Sequence, residues 1–287
     1  MGSVLCIVVT YNRLNCLVNC LEALRQQTEK CFNILVVNNG STDGTQEYLN
    51  SQKDILTIHQ SNLGGAGGFY AGMKYGFENN YEWVWLMDDD GVPAPNQLAE
   101  LLKHKGTYLY LNALVIDKDN HSLFAFPPHD PLVTIASVQQ KSIIENFCHP
   151  FNGTLYNRKL IDKIGFIKKE MFIWGDEKEY TARAIQAGFE PVTITSAIHY
   201  HPKEKAEKVY PIPFWHNPRT EVLIKPEKLS KYYYRNLGFI DKTYRTVIKS
   251  IKLIVLHTLY FLRTLNFKEM RKFYHYYFNG RRNNYDN

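Results

Sequence analysis

Within the first ninety residues, four short apolar runs each stop at a cluster of polar or glycine-rich residues, and the stretches between them carry apolar side chains at helical spacing. Residues 4–9 give way to Thr10-Tyr11-Asn12-Arg13 and residues 34–37 to Asn38-Asn39-Gly40-Ser41-Thr42-Asp43-Gly44. Residues 56–59 lead to a glycine-rich stretch over 62–68, and residues 83–87 run straight into Asp88-Asp89-Asp90. After the first run, Leu14, Leu17, Val18, Leu21 and Leu24 mark a helix over 14–27. A short helix is predicted around 46–49, and another after the glycine-rich stretch, running to about residue 78. This alternation predicts an α/β fold, a mostly parallel sheet with helices on both faces. In such a sheet ligands bind beyond the carboxyl ends of the strands, so four polar strand ends predict one binding site.

Further along the pattern weakens. Strands are predicted over 108–116 and 192–195, a helix over 176–187, and a largely helical region from residue 225 onward. A boundary near 221–228 follows, dividing the chain into a main domain, 1–224, and a helical extension, 225–287. Charge obeys the same division, with a net of −4 before residue 225 and +10 after it. A basic segment rich in Tyr and Phe suits nucleic acid or an anionic membrane surface, and no nucleic-acid-binding motif accompanies it. Its most apolar stretch, 253–262, contains His257 and falls well short of the roughly 20 apolar residues that cross a bilayer. The tail can therefore lie on a membrane but not span one; a helical subdomain with a solvated basic face is the plainer reading.

The five cysteines, of which only Cys16 and Cys20 lie close together, read as reduced, packed thiols. Residues 4–9 have no basic segment before them and no small-residue cleavage site after them, which predicts a strand and not a signal peptide. Cys6 stands where a myristoylation motif needs Ser or Thr. The expected location is the cytoplasm, or the periphery of the inner face of the cell membrane where the tail docks there.

Three adjacent carboxylates directly after an apolar strand repel one another unless a cation joins them, and hard oxygen ligands of this kind suit Mg²⁺ or Mn²⁺. A solvated acidic loop is the bland alternative. The glycines at 64, 65, 67 and 68 could present backbone amides to phosphate at the start of a helix, although a glycine run is more often a place of close backbone approach. Neither a P-loop nor a G-x-G-x-x-G dinucleotide fingerprint is present in the chain.

The series V-V-T-Y-N-R (8–13), V-V-N-N-G-S-T-D-G-T (36–45), N-L-G-G-A-G-G (62–68), W-L-M-D-D-D (85–90) and W-G-D-E-K-E-Y (174–180) resembles, in order and spacing, the family 2 inverting glycosyltransferases of GT-A fold. The resemblance covers about residues 3–205. Within that family the glycine pairs and the triple aspartate are most similar to bacterial galactofuranosyltransferases, with rhamnosyltransferases next. It implies a nucleotide-sugar donor, a UDP- or dTDP-sugar, and as acceptor a hydroxyl of a glycan or lipid-linked glycan in bacterial surface polysaccharide synthesis.

By that resemblance Thr10, Tyr11 and Arg13 border the nucleotide, Asn38 or Asn39 faces the base, and Asn62 with Gly64, Gly65 and Gly67 helps to hold the donor. Asp88 and Asp89 belong to the donor site, with Asp88 facing ribose or metal. Asp90 binds the Mn²⁺ or Mg²⁺ that bridges the two phosphates, with His199 or His201 as a further ligand. Asp176 is the candidate base for the acceptor hydroxyl, with Glu177 its rival and Trp174 a platform for a sugar ring. Helix capping is the plainer job for an Asp at this place. Tyr234-Arg235-Asn236 also resembles an element recurrent in these bacterial enzymes.

Two other classes compete. A binding-only module would keep the donor and perform no transfer. A nucleotidyltransferase would need a glycine-rich loop near the N-terminus, and residues 10–16 contain no glycine.

Overall fold

A computed structural model describes residues 3–126, 128, 132–203, 209–211 and 221–285; Met1, Gly2 and His216 lie outside them. The chain divides into two compact units, Met1–Lys169 with Tyr180–Lys203, and Glu170–Glu179 with Glu204–Asn287. The boundary expected near 221–228 leaves 170–179 in the main domain, whereas in the structure that segment groups with the C-terminal helices.

The first unit opens with β1 (Val4–Thr10), α1 (Leu14–Arg25), β2 (Phe32–Asn38), α2 (Thr45–Ser51), β3 (Ile55–His59), α3 (Gly64–Glu78) and β4 (Trp83–Asp88). It continues with β5 (Val92–Pro93), α4 (Gln97–Leu102), β6 (Tyr110–Asp117), α5 (Ile135–Val138), β7 (Ile143–Glu145), β8 (Asn152–Asn157), α6 (Arg158–Ile164), α7 (Asp176–Gln186) and β9 (Val192–His201). The first turn of α7 groups with the second unit. The strand predicted over 192–195 extends to His201, so both histidines lie within it.

The main sheet runs β3-β2-β1-β4-β8-β6-β9-β5, with β7 also paired to β9. β1 with β2, β2 with β3, β1 with β4 and β6 with β9 pair in parallel, whereas β8 runs antiparallel to both β4 and β6. Strand order runs outward from β1 to β3 and then returns to place β4 on the other side of β1, and at such a switch point the strand ends leave a crevice. Register aligns those ends: Thr10 lies opposite Asn38, Asn38 opposite His59, and Val9 opposite Asp88. Every residue of β1 is buried.

Helix α3 starts at Gly64, so the glycines form its first turns and not a loop before it. The physical reason lies in packing. A Cβ on Gly68 would overlap Val9 Cγ1, one on Gly72 would overlap Ile7 Cγ2, and one on Gly76 would stand 2.8 Å from Val84 Cγ1 and 3.2 Å from Leu5 Cδ2. Four residues of helix rise about 6 Å and two residues of strand about 6.6 Å. Glycines four apart therefore meet β1 side chains two apart, and the helix lies against the strand along its length.

The second unit contains a two-stranded antiparallel ribbon, β10 (Val209–Pro211) with β11 (Glu221–Leu223), and three helices, α8 (Ser230–Tyr244), α9 (Val247–Arg263) and α10 (Phe267–Arg281). Gly238 and Gly280 let α8 and α10 meet backbone to backbone, since a Cβ on either would overlap a carbonyl of the other helix. Tyr234, Phe261, Phe273 and Tyr277 are fully buried and make the core of this unit. His257 stacks on Phe273 with ring centroids 4.6 Å apart. Core packing thus accounts for much of the aromatic share of the tail. The outer face of α9 stays uncovered, with Val247 74% and Ile248 80% exposed. No helix among the described residues is long and apolar enough to cross a membrane.

Two glycine substitutions on α3 should act with opposite sign. Gly72→Ala places a methyl against the buried branch of Ile7 and should lower the unfolding free energy by about 1–3 kcal/mol. Gly65→Ala meets nothing within 4 Å and should raise it by about 0.5 kcal/mol through the unfolded chain. Urea denaturation midpoints of the two variants measure both.

Candidate active site

Beyond the aligned strand ends, two loops are tied together. The Asn12 side-chain oxygen accepts from the Thr42 N–H at 2.7 Å, and the Asn12 N–H donates to Ser41 Oγ at 2.9 Å. Asp43 accepts from the N–H of Leu14, the first residue of α1, at 2.9 Å and from the hydroxyl of Thr45, the first residue of α2, at 2.6 Å. One carboxylate thus serves the starts of two helices, and the Thr45 hydroxyl bond first, then the backbone bonds, hold it below the usual carboxylate range despite some desolvation.

Asn38 and Asn39 are 1% and 2% exposed. Asn38 Oδ1 accepts from the Ser41 N–H, and its amide nitrogen meets His59 Nδ1 at 3.2 Å. Asn39 accepts from Gln60 Nε2 and the Leu63 N–H and donates to the Gly64 carbonyl at 2.8 Å. These bonds brace the loops after β2 and β3. Asn62 Oδ1 already holds the Gly64 N–H at 2.9 Å, and Gly67 is pressed on the Leu63 side chain. Gly65 has open space where a Cβ would stand.

Beyond β4 the chain turns tightly, with the Gly91 N–H donating to the Asp88 carbonyl at 3.3 Å. The three carboxylates then part. Asp89, 3% exposed, accepts from Thr10 Oγ1 at 2.7 Å and from the Arg13 guanidinium at 3.3 Å. Burial still pushes it up to about 6, against the pull of those two bonds. Asp89 and Thr10 thereby join β1 to β4. Asp88, at the end of β4, is raised well above the usual range by burial and then by the charges of Asp90 and Asp89. Asp90 behaves oppositely. Although burial opposes ionisation, the hydrogen bond from His201 Nε2 at 3.3 Å and the charges of His201 and Arg13 hold it below its ordinary value. Arg13 reaches Asp90 at 2.7 Å from a half-exposed position, and Tyr11 beside it is 46% exposed.

β5, immediately after the turn, pairs Val92 with Tyr200 and Pro93 with His199 on β9, and this pairing brings His201 to Asp90. His201 Nδ1 donates to the Pro202 carbonyl at 2.7 Å, so a cation at Nε2 would take the place of the proton that Nε2 shares with Asp90. His199 is different. Its ring is fully buried, Nδ1 is engaged with Gln97 Oε1 at 3.1 Å, and Nε2 lies against Gly91 with no hydrogen-bond partner. Burial pushes it down to about 3. His199 packs beneath the aspartate turn between Gly91 and Gly153.

Among the described residues no three His, Cys, Asp or Glu side chains form a ready-made metal cage. A cation shared with a diphosphate needs only one or two protein ligands and takes the remainder from phosphate oxygens and water. Asp90 Oδ1 and His201 Nε2, with the His201 tautomer fixed by Pro202, fit that requirement.

In the second unit, Asp176 stands 5% exposed at the first position of α7. Glu177 Oε2 accepts from the Gly175 N–H at 3.0 Å, so Glu177 is engaged in shaping the turn. Lys225 Nζ lies 4.9 Å from the centre of the Trp174 ring. The turn before α7 is strained: Phe172, Trp174 and Gly175 have φ of +65°, +61° and +108°. For bulky side chains the left-handed region costs about 1–3 kcal/mol each and persists only where the surroundings impose it.

Residues 5–165 match the family described as Glycosyl transferase family 2. Galactofuranosyltransferase GlfT1 of Mycolicibacterium smegmatis is 30% identical over 210 residues, covering 68% of this chain and 70% of that protein. Its counterpart in Mycobacterium tuberculosis is 32% identical over 213 residues, 70% of each. Among solved structures, S. aureus TarS 1–349 superposes with a TM-score of 0.57 at 15% identity over 98% of this chain and 81% of that one. GalNAc-T7 with UDP, GalNAc and Mn²⁺ gives 0.57 at 13% identity over 83% of this chain and 49% of that one. Mannosyltransferase PcManGT from Pyrobaculum calidifontis in complex with GDP-Man and Mn²⁺ gives 0.54 at 16% identity, over 95% and 73%. At such identities the superpositions speak for the fold. The family match spans more than half of the chain and the relatives extend beyond it to about two thirds: the chain belongs to glycosyltransferase family 2, on a GT-A fold, and is a glycosyltransferase.

Proposed function

We propose that the chain transfers galactofuranose from UDP-galactofuranose to a hydroxyl of a glycan or lipid-linked glycan, with inversion at the anomeric carbon and with Mn²⁺ or Mg²⁺ as cofactor. The observation that carries the catalytic reading is the pair Asp90 and His201, held side by side at the carboxyl ends of the strands. Similarity to GlfT1 over about two thirds of each chain favours the donor sugar.

In this reading Asp90 and His201 hold the cation, which, when bound, stabilises charge on the departing diphosphate more in the transition state than in the ground state. Tyr11 and Arg13 border the nucleotide. Asp176 takes the proton from the acceptor hydroxyl; the acceptor oxygen bonds to the anomeric carbon as its bond to phosphate breaks, and that electron pair leaves with the nucleoside diphosphate. A single displacement inverts the centre and needs no enzyme nucleophile.

UDP release measured across UDP- and dTDP-sugars with Mn²⁺ should be seen with UDP-galactofuranose. Asp90→Ala should abolish it, and Asp176→Asn should lower turnover by at least about 100-fold while UDP–Mn²⁺ binding persists in calorimetry. Turnover with dTDP-rhamnose alone would move the chain to the rhamnosyl branch. Metal-dependent binding with no turnover of any donor or acceptor mixture would make it a binding module.

The same reading places the chain on the inner face of the cell membrane through α9. At 3.6 residues per turn Val247, Ile248, Ile251, Val255 and Leu262 fall within about 100° of arc, and all are exposed. Lys249, Lys252 and Arg263, also exposed, follow on one flank. An apolar stripe edged by cations matches an anionic bilayer, each cation near the surface adding about 1 kcal/mol. The chain should sediment with phosphatidylglycerol vesicles at low salt and not with phosphatidylcholine. Ile248→Asp with Ile251→Asp should abolish sedimentation while solution UDP release is unchanged. Absence of sedimentation, or loss of a solution dimer in that variant, would end the membrane reading.

A further inference from the structure

The strained turn before α7 is held by one face of α8. Tyr232, Asn236, Ile240 and Tyr244 lie four residues apart and so share that face. The Phe172 ring stacks on Tyr232, centroids 4.3 Å apart and 18° from parallel. Asn236, fully buried, directs its amide nitrogen at three carbonyls of this one turn: Met171 at 2.8 Å, Ile173 at 3.0 Å and Trp174 at 2.9 Å. Arg235 adds a bond of 2.9 Å to the Glu170 carbonyl. Ile240 and the Asn236 Cβ close over Gly175, where an added methyl would stand 3.1 and 3.4 Å from them. Tyr244 donates to Glu179 Oε1 at 2.9 Å, one turn into α7.

We propose that Asn236 is a positioning residue for the transfer reaction: its amide gathers the carbonyls of the left-handed turn and thereby sets where α7 begins and how Asp176 is presented. The proposal rests on the reading of Asp176 as the base. A carboxamide is suited to the task because its nitrogen offers two protons, one of them shared between two of the carbonyls, and carries no charge to be desolvated. Three carbonyl oxygens converging on one point would repel one another without a donor among them. An aspartate of the same size would add a fourth oxygen.

The test uses the full chain and the donor that the wild type turns over in the UDP-release panel. Asn236→Asp should lower kcat about 100-fold, the loss expected when a reacting group is displaced by about 1 Å, with donor KM and UDP–Mn²⁺ binding within twofold of wild type. Asn236→Ser, which keeps a donor in the buried site, should recover part of kcat. In an Asp176→Asn background Asn236→Asp should cause no further loss, because a residue acting through another is not additive with it. Gly175→Ala strains the same turn from the other side and should reproduce the kcat defect; it carries the test if Asn236→Asp does not fold. Additive losses, a rise in donor KM at unchanged kcat, or full activity of Gly175→Ala would each overturn the proposal. Wild-type turnover in Asp176→Asn alone would instead remove the base reading and leave the donor site untouched.

Discussion

Three carboxylates on consecutive residues can be kept at the mouth of a buried strand only if positive charge comes with them, since desolvation and mutual repulsion both oppose their ionisation. The chain meets this constraint by giving each aspartate a different environment. Asp89 is buried on Thr10 and Arg13 and joins β1 to β4. Asp90 is held ionised by Arg13 and His201. At Asp88 burial and the two neighbouring carboxylates outweigh the pull of His201 and Arg13, and it is raised furthest of the three. Arg13 and His201 come from distant parts of the sequence, one from the loop after β1 and the other from the end of β9. The switch point of the sheet and the β5–β9 pairing exist, in this sense, to bring cations to one short acidic turn.

Much of this was legible in the residues. The four apolar runs and their polar ends predict β1 to β4 and the helices between them to within a few residues, because a period of two or 3.6 in buried positions admits few alternatives. Glycines 64–68 were harder. A run of glycine in water favours a loop, and only the β1 side chains opposite show why these residues are helical: the absence of Cβ at 68, 72 and 76 is what the contact requires. Spacing four apart was the available signal. In the same way the pair His199 and His201 gave no reason to prefer either. Alternation along β9 places both on one face, and their roles separate only through Gly91, Gln97 and Pro202, which have nothing in common in sequence.

Asn38 and Asn39 illustrate a different limit. A short amide at a strand end is equally suited to meeting a ligand and to satisfying the backbone of a loop. Which of these occurs depends on partners such as Ser41, Gln60 and Leu63, and these are recognisable only after the loops have been brought together. The residues whose role follows from composition are therefore the charged ones. The neutral polar residues of the site mostly build its walls.

The turn before α7 departs from the local consistency found elsewhere in the chain. Phe172 and Trp174 are bulky residues in a region that favours glycine, although Gly175 stands next to them. A sequence selected for stability alone would relieve such positions, so strain of this kind persists where the geometry it produces is needed. The face of α8 opposite is correspondingly specific: an aromatic ring for Phe172, an amide for three carbonyls, an isoleucine over the glycine and a tyrosine for Glu179. A helix serving only as packing would present aliphatic side chains to its neighbour. Here polar contacts to backbone predominate, and backbone contacts fix position more tightly than apolar ones, which tolerate sliding. Of the Tyr-Arg-Asn element of α8, Tyr234 belongs to the C-terminal core, whereas Arg235 and Asn236 are spent on the backbone of the turn before α7.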